Sequence, residues 1–388
     1  DDNRKYVLLF FIFAILIRFL VSFRSNFYAD ELGFIAHSIG FIDSGKLQTF
    51  DQDGLWFFLT NLSMNIFGVN AFGARFLSIL LGSLSVFLVY LIGKEIFSKE
   101  TALISSFILA VSSLPIVLTI GVMDMPMSFF VFLSIYFLIL FFKTDKKGFF
   151  LLTWINLGLA VMIKQIALLF IPAFVLFSIY YDQKFHKKFR FKNIFYAALI
   201  IVFMVTPVLT YNYLLYKDKG LVDMQFSRFF GIAEEQFASI AHTLNPFSLY
   251  TLFISHSGGL PGILVALKFF YEFESIFILL FAVLGVFYLA KSKNQFKWLL
   301  FLSFLFPFLF LAGTSLLPNH FIFGSLFVAL FSAEGVVLLS ERFTNKDKKG
   351  KIIFLILFLI LIGSDVHIYQ ENHGLFGKNE IAHLIDFK

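Results

Sequence analysis

The chain has 388 residues, of which 59% are hydrophobic and 14% charged, with 60 phenylalanines, no cysteine and a formal net charge of +6. A soluble domain carries about 25% charged residues, so this composition, with a mean hydropathy of +0.86, excludes a water-soluble globular protein and makes lipid the solvent for most of the chain. The lack of cysteine excludes disulfides, thiolate catalysis and cysteine-held zinc or iron–sulfur centres. The basic excess is expected to mark loops retained on one side of a membrane, with no nucleic-acid partner.

A spanning helix needs about 20 mostly apolar residues. Residues 6–23 form the first such window. They follow Arg4 and Lys5 as a signal peptide would, but they end in Arg24-Ser25-Asn26-Phe27 with no small-residue cleavage site. They are expected to be the first transmembrane helix, with the N-terminus cytoplasmic. Further windows lie near 75–93, 101–120, 125–142, 149–163, 165–181, 194–214, 273–290, 298–316, 321–340 and 352–368. The expectation is an all-α polytopic membrane protein of about eleven spans, because lipid offers no partner to loose backbone groups. No ten-residue alternating pattern suggests a barrel.

Alternating these spans from a cytoplasmic N-terminus places most of the 31 basic residues inside, including the clusters Lys143, Lys146, Lys147; Lys184, Lys187, Lys188, Arg190, Lys192; and Arg342, Lys346, Lys348, Lys349, Lys351. That distribution obeys the positive-inside rule. Acids such as Asp30, Glu31, Asp124 and Glu274 fall on the outer side. Two outer segments, about 24–74 and 215–272, are too long to be plain connectors and too aromatic to be disordered. Residues 31–42 have the spacing of an amphipathic helix lying along the interface. The expected organisation is a transmembrane module over 1–214 that includes the first outer loop, a second outer loop over 215–272, and C-terminal helices with a short outer tail over 273–388.

The first outer segment opens with Phe27-Tyr28-Ala29-Asp30-Glu31. Asp124, in Gly121-Val122-Met123-Asp124-Met125-Pro126, lies in a short outer turn between two apolar runs. A charge in apolar surroundings is costly and is usually paired or functional. Asp30, Glu31 and Asp124 are expected at one depth, on one face, where converging carboxylates suit general-base catalysis.

Three ordered stretches then carry a resemblance. They are Asp30-Glu31 after span one; Phe67-Gly68-Val69-Asn70-Ala71-Phe72-Gly73-Ala74-Arg75-Phe76, leading to Gly82, Tyr90 and Lys94-Glu95-Ile96-Phe97; and Asp124-Met125-Pro126 with Gly158-Leu159-Ala160-Val161-Met162-Ile163-Lys164 and Pro172. Over residues 1–181 the chain resembles the GT-C superfamily of polyprenyl-phosphate-sugar-dependent glycosyltransferases, in the branch of the protein O-mannosyltransferases and lipid A aminoarabinose transferases. The resemblance implies a GT-C fold and an inverting transfer of sugar from a polyprenyl-phosphate donor to a hydroxyl of a protein, lipid or glycan acceptor. The active site would be extracytoplasmic, in a multi-pass protein of the cell membrane. It implies Asp30 as base for the acceptor hydroxyl, with Glu31 and Asp124 positioning donor or acceptor.

Candidate cations for the leaving phosphate are Arg75, Lys164, Arg228 and Lys268, with His256 in Ser255-His256-Ser257-Gly258-Gly259 as a further phosphate contact. Tyr28, Asp51 and Asp53 are candidate donor or acceptor contacts. The sequence departs from the resemblance at Asp51-Gln52-Asp53-Gly54, where relatives often carry a proline motif, and at Pro318-Asn319-His320, where they commonly carry a basic–tyrosine pair. No tight His-x-x-x-His spacing occurs, so no obligate metal or other cofactor is expected; a divalent ion between Asp51 and His256 is the less favoured alternative. The rival functions are a secondary transporter or lipid-linked-sugar flippase, which the scarcity of mid-span charges beyond Arg18 and Glu334 disfavours.

Overall fold

The computed structural model describes residues 3–24, 29–43, 54–185, 191–223, 226, 259–314, 318–343 and 350. Among them every regular element is helical. Helix α1 (Asn3–Arg24) is followed by α2 (Ala29–Asp43), α3 (Gly54–Phe67), α4 (Ala71–Ile96), α5 (Lys99–Val111), α6 (Ser113–Val117), α7 (Asp124–Thr144) and α8 (Lys147–Ile163). A 3-10 turn (Gln165–Leu169) leads into α9 (Phe170–Phe185) and α10 (Phe191–Lys219). The last part holds α11 (Gly259–Phe273), α12 (Ile276–Lys291), α13 (Lys297–Thr314), a 3-10 turn (Pro318–Phe321) and α14 (Ile322–Phe343).

Six of these stretches are long and apolar enough to cross a membrane: Arg4–Phe23, Ala71–Ile96, Asp124–Thr144, Gln165–Lys184, Lys192–Lys219 and Asn319–Phe343. Lys147–Ile163, Ile276–Lys291 and Lys297–Gly313 are apolar but shorter. Helices stand at the expected spans up to 321–340 except at 101–120, and the one expected over 352–368 lies outside the described residues.

One expected span is corrected. Residues 101–120 do not form a single helix; α5 stops at Val111 and α6 starts at Ser113. Pro115 gives the physical reason. In a continuous helix its ring would collide with the carbonyl of residue 111, but in the first turn of a new helix it is tolerated.

The first long outer segment is also more ordered than a loop. It contains α2 and α3, packed on each other, with α3 packed on α4. Helix α2 buries Glu31, Phe34, Ile35 and Ser38, positions three and four apart that form one helical face. Helix α3 buries Trp56, Phe57, Thr60, Asn61, Ser63 and Met64. Gly68, at φ +90°, turns the chain into α4 in a conformation that suits glycine. Asn70 then caps α4 by accepting from the Gly73 N–H at 3.0 Å.

The centre of the bundle is α7, packed against α4 and α8, together with α14, packed against α5 and α12. These are the two most enclosed spans, 72% and 83% buried, whereas α10 is only 11% buried and lies at the periphery. The α12–α14 crossing is unusually close. A Cβ added at Gly285 would lie 1.8 Å from the Phe331 carbonyl oxygen, and one at Gly335 would lie 2.1 Å from that of Phe281. Small residues of this kind let membrane helices approach backbone to backbone, where dispersion replaces the missing hydrophobic drive.

Candidate active site

Two buried ion pairs lie at the α7 N-terminal end of the bundle. Glu31, in the first turn of α2, is 0% exposed, and so is Arg75 in the first turns of α4. Arg75 Nε donates to Glu31 Oε1 at 2.5 Å and Nη2 donates to Oε2 at 2.7 Å. This is the parallel two-bond geometry that a guanidinium forms with a carboxylate. Arg75 Nη1 donates to the Ser22 carbonyl on the last turn of α1, so one side chain ties α1, α2 and α4 together.

Glu31 Oε1 also accepts the Gly121 N–H at 2.7 Å. A Cβ at Gly121 would sit only 3.0 Å from that oxygen, so glycine lets the backbone come this close. Trp56 Nε1 donates to the Gly121 carbonyl at 3.3 Å, and Ser78 Oγ to the Val122 carbonyl at 3.2 Å. The 121–123 segment is therefore held from α2, α3 and α4 before α7 begins.

The next residue, Asp124, is the first of α7 and is 1% exposed. A carboxylate there meets the positive end of the helix dipole. It also meets Lys164, whose Nζ lies 2.6 Å from Oδ1. Lys164 is 4% exposed and in extended backbone conformation at the break between α8 and the 3-10 turn, which turns its side chain inward. Asn319 Nδ2 donates to Asp124 Oδ2 at 3.2 Å, while Asn319 Oδ1 is buried with no hydrogen-bond partner among the described residues. His320 is close enough to interact electrostatically with both Asp124 and Lys164. A lone charge so deep would be very costly, and pairing with hydrogen bonds is what makes it tolerable.

The structure thus brings Glu31, Arg75, Asp124 and Lys164 into one connected cluster through residues 121–124. Asp30 stands next to Glu31 in the first turn of α2. Lys268 lies elsewhere, exposed on α11, and pairs with Glu272 at 3.3 Å one turn on. Tyr28, Asp51, Asp53, Arg228 and His256 lie outside the described residues. Asn319 and His320 were visible in the sequence only as a departure from the resemblance; the Asn319–Asp124 contact spans 195 positions and has no local signature.

Comparison with known proteins gives the fold a wider setting. The family model of dolichyl-phosphate-mannose-protein mannosyltransferases matches residues 55–211. An uncharacterized protein of Aquifex aeolicus (strain VF5) is 28% identical over 353 residues, covering 89% of this chain and 65% of the relative. The crystal structure of ArnT from Cupriavidus metallidurans bound to undecaprenyl phosphate superposes with a TM-score of 0.64 at 16% identity, covering 91% of this chain and 63% of that one. The chain therefore has the GT-C fold of that structure. Archaeal oligosaccharyltransferase AglB from Archaeoglobus fulgidus, in complex with an inhibitory peptide and a dolichol-phosphate, shares the GT-C fold with a TM-score of 0.64 at 14% identity, over 95% of this chain and 55% of that one. The chain therefore spans just under two thirds of the length of its curated relative and less of these two structures. Its apolar helices and the GT-C fold make it a multi-pass membrane protein. The family-model match begins in α3 and ends in α10, so it takes in Arg75, Asp124 and Lys164 but not Asp30 and Glu31.

Proposed function

We propose that the chain is a membrane glycosyltransferase that moves a sugar from a polyprenyl-phosphate donor to a hydroxyl acceptor on the extracytoplasmic face, with inversion. The observation that carries this reading is the connected cluster in which Glu31 and Asp124 are buried, charge-balanced and fixed through Gly121, beside the backbone position of Asp30. A GT-C fold supports it, as do the neighbours described with undecaprenyl phosphate and dolichol-phosphate.

In this mechanism the Asp30 carboxylate accepts the acceptor's hydroxyl proton as that oxygen bonds to the anomeric carbon. The bond from that carbon to the phosphate oxygen breaks, and polyprenyl phosphate leaves with the electron pair on the opposite face. A sugar or serine hydroxyl is a poor nucleophile, so proton removal during attack lowers the barrier, and positioning contributes as much again.

Glu31 and Asp124 act by holding the surrounding backbone. Arg75, fully buried and bonded to Glu31 and the Ser22 carbonyl, acts in this proposal as a positioning residue. Lys164 holds Asp124 and is the cation of the cluster placed on a helix break, from which its ammonium can also face a phosphate. Arg228 and His256 supply phosphate contacts from the second outer segment in this proposal, and Tyr28, Asp51 and Asp53 supply sugar or acceptor contacts.

The test is turnover in phospholipid nanodiscs with a panel of polyprenyl-phosphate sugars, read as release of polyprenyl phosphate. Asp124→Asn is expected to lower it by about a hundredfold, the scale of a misplaced catalytic frame. Equal turnover by this variant would remove Asp124 from the site.

A further inference from the structure

A second groove lies far from this cluster. Helix α7 runs from Asp124 to Thr144, about 30 Å at 1.5 Å per residue, and the groove opens at its far end, on the opposite membrane face. It has a volume of about 990 Å³ and is bounded by α7, α8 and α10.

Its shape follows from one close crossing. Helices α8 and α10 meet where a Cβ at Gly158 would lie 2.6 Å from the Met204 Cβ. Below that point the space between them is filled by neither helix. The walls are apolar and aromatic: Phe150, Leu151 and Ile155 from α8, Leu199 and Phe203 from α10. Phe203 is 75% exposed and Leu199 49% exposed, so this side of the groove opens sideways, where hydrocarbon lies. From Lys147 to Ile155 the groove runs about 12 Å along α8, room for a large part of one acyl chain.

The mouth is polar. Lys147 begins α8 and Lys192 lies at the start of α10, both exposed, and both line the groove. Asp145, in left-handed conformation at φ 57°, and Asn193 complete the rim. Neither lysine makes an ion pair among the described residues. Asp145 is the one acid among the lining residues, against these two lysines.

We propose that this groove binds one anionic phospholipid, its phosphate between Lys147 and Lys192 and an acyl chain along Phe150, Leu151, Ile155 and Phe203. A free phosphate would use the lysines but leave the apolar walls empty. A neutral detergent-like chain would use the walls and ignore the lysines. Anionic headgroup plus chain satisfies both. By the distribution of basic residues this lipid belongs to the cytoplasmic leaflet, on the face away from the proposed transfer chemistry. It sits against α8, whose last residue precedes Lys164, so it braces the helix that delivers that lysine.

The experiment is native mass spectrometry of the delipidated full chain titrated with mixed micelles of phosphatidylglycerol or phosphatidylcholine. The expected result is one phosphatidylglycerol retained with at least tenfold preference. A lysine near an anionic surface is worth about fivefold, so Lys147→Glu with Lys192→Glu should remove that preference. Leu151→Trp, which fills the groove without changing charge, should lower retention of both lipids. Lys147→Ser with Lys192→Ser gives the same reading if the double reversal does not yield monodisperse protein. Equal retention of the two lipids, unchanged retention in these variants, or displacement of the lipid by millimolar inorganic phosphate would each overturn the proposal.

Discussion

Arg75 and Glu31, 44 positions apart in sequence, form a two-bond ion pair that is sealed from solvent and joins α4 to α2, while a third bond from Arg75 reaches the end of α1. Removing one partner leaves an uncompensated buried charge, which typically costs about 3–5 kcal/mol. Arg75→Met is therefore expected to lower thermal stability sharply in detergent. Arg75→Met combined with Glu31→Leu should recover most of that loss, because both charges leave together. A double variant no more stable than the single one would show that the pair is not what holds α2 in place.

The second pair behaves differently, because its cation stands on a helix break and its anion begins α7. Lys164→Met is expected to reduce sugar transfer by about a hundredfold through displacement of Asp124, with a smaller effect on donor binding. Separate kcat and KM measurements check this. A change confined to KM would instead make Lys164 a plain donor contact.

Asn319 offers a sharper probe of the same carboxylate. It donates to Asp124 Oδ2 at 3.2 Å, and Asn319→Asp would replace that donor by a second negative charge in a buried setting. Turnover is expected to fall further for Asn319→Asp than for Asn319→Ala. The reverse order, read in the same release assay, would mean that Asn319 acts only by packing.

Gly285 and Gly335 test the fold apart from the chemistry. Any side chain at either position must displace backbone of the facing helix. Gly285→Ala is expected to destabilise by about 1–3 kcal/mol or more, in the range of overpacked cores. Comparison of melting temperatures with Gly148→Ala, whose added Cβ meets nothing within 4 Å, isolates the effect of the crossing.

Helix positions were legible because each apolar run must satisfy its own backbone in lipid, and that shows as hydropathy alone. Helix α3 was not legible in this way. Its 14 residues include Thr60, Asn61, Ser63 and Asn65, too short and too polar to register as a span, so it read as loop. The break at Ser112 was signalled by Pro115 but masked by the continuous apolar run around it. Within the site, Asp124 could be singled out from the cost of an isolated charge, and Lys164 as a candidate cation. Their pairing could not, because partners 40, 44 and 195 positions apart leave no periodic trace. Arg75 illustrates the limit: the sequence offered it both as a candidate phosphate cation and as a structural residue, and only the fold shows Glu31 facing it.

In the proposed mechanism Asp30 takes the acceptor's proton. The most direct measurement is single-turnover sugar transfer by Asp30→Asn in nanodiscs, alongside retention of the polyprenyl-phosphate donor by the same protein. Loss of a general base is expected to slow transfer by about 10²–10⁴-fold while donor retention stays within twofold of the unaltered chain. Transfer at the unaltered rate would mean that Asp30 is not the base.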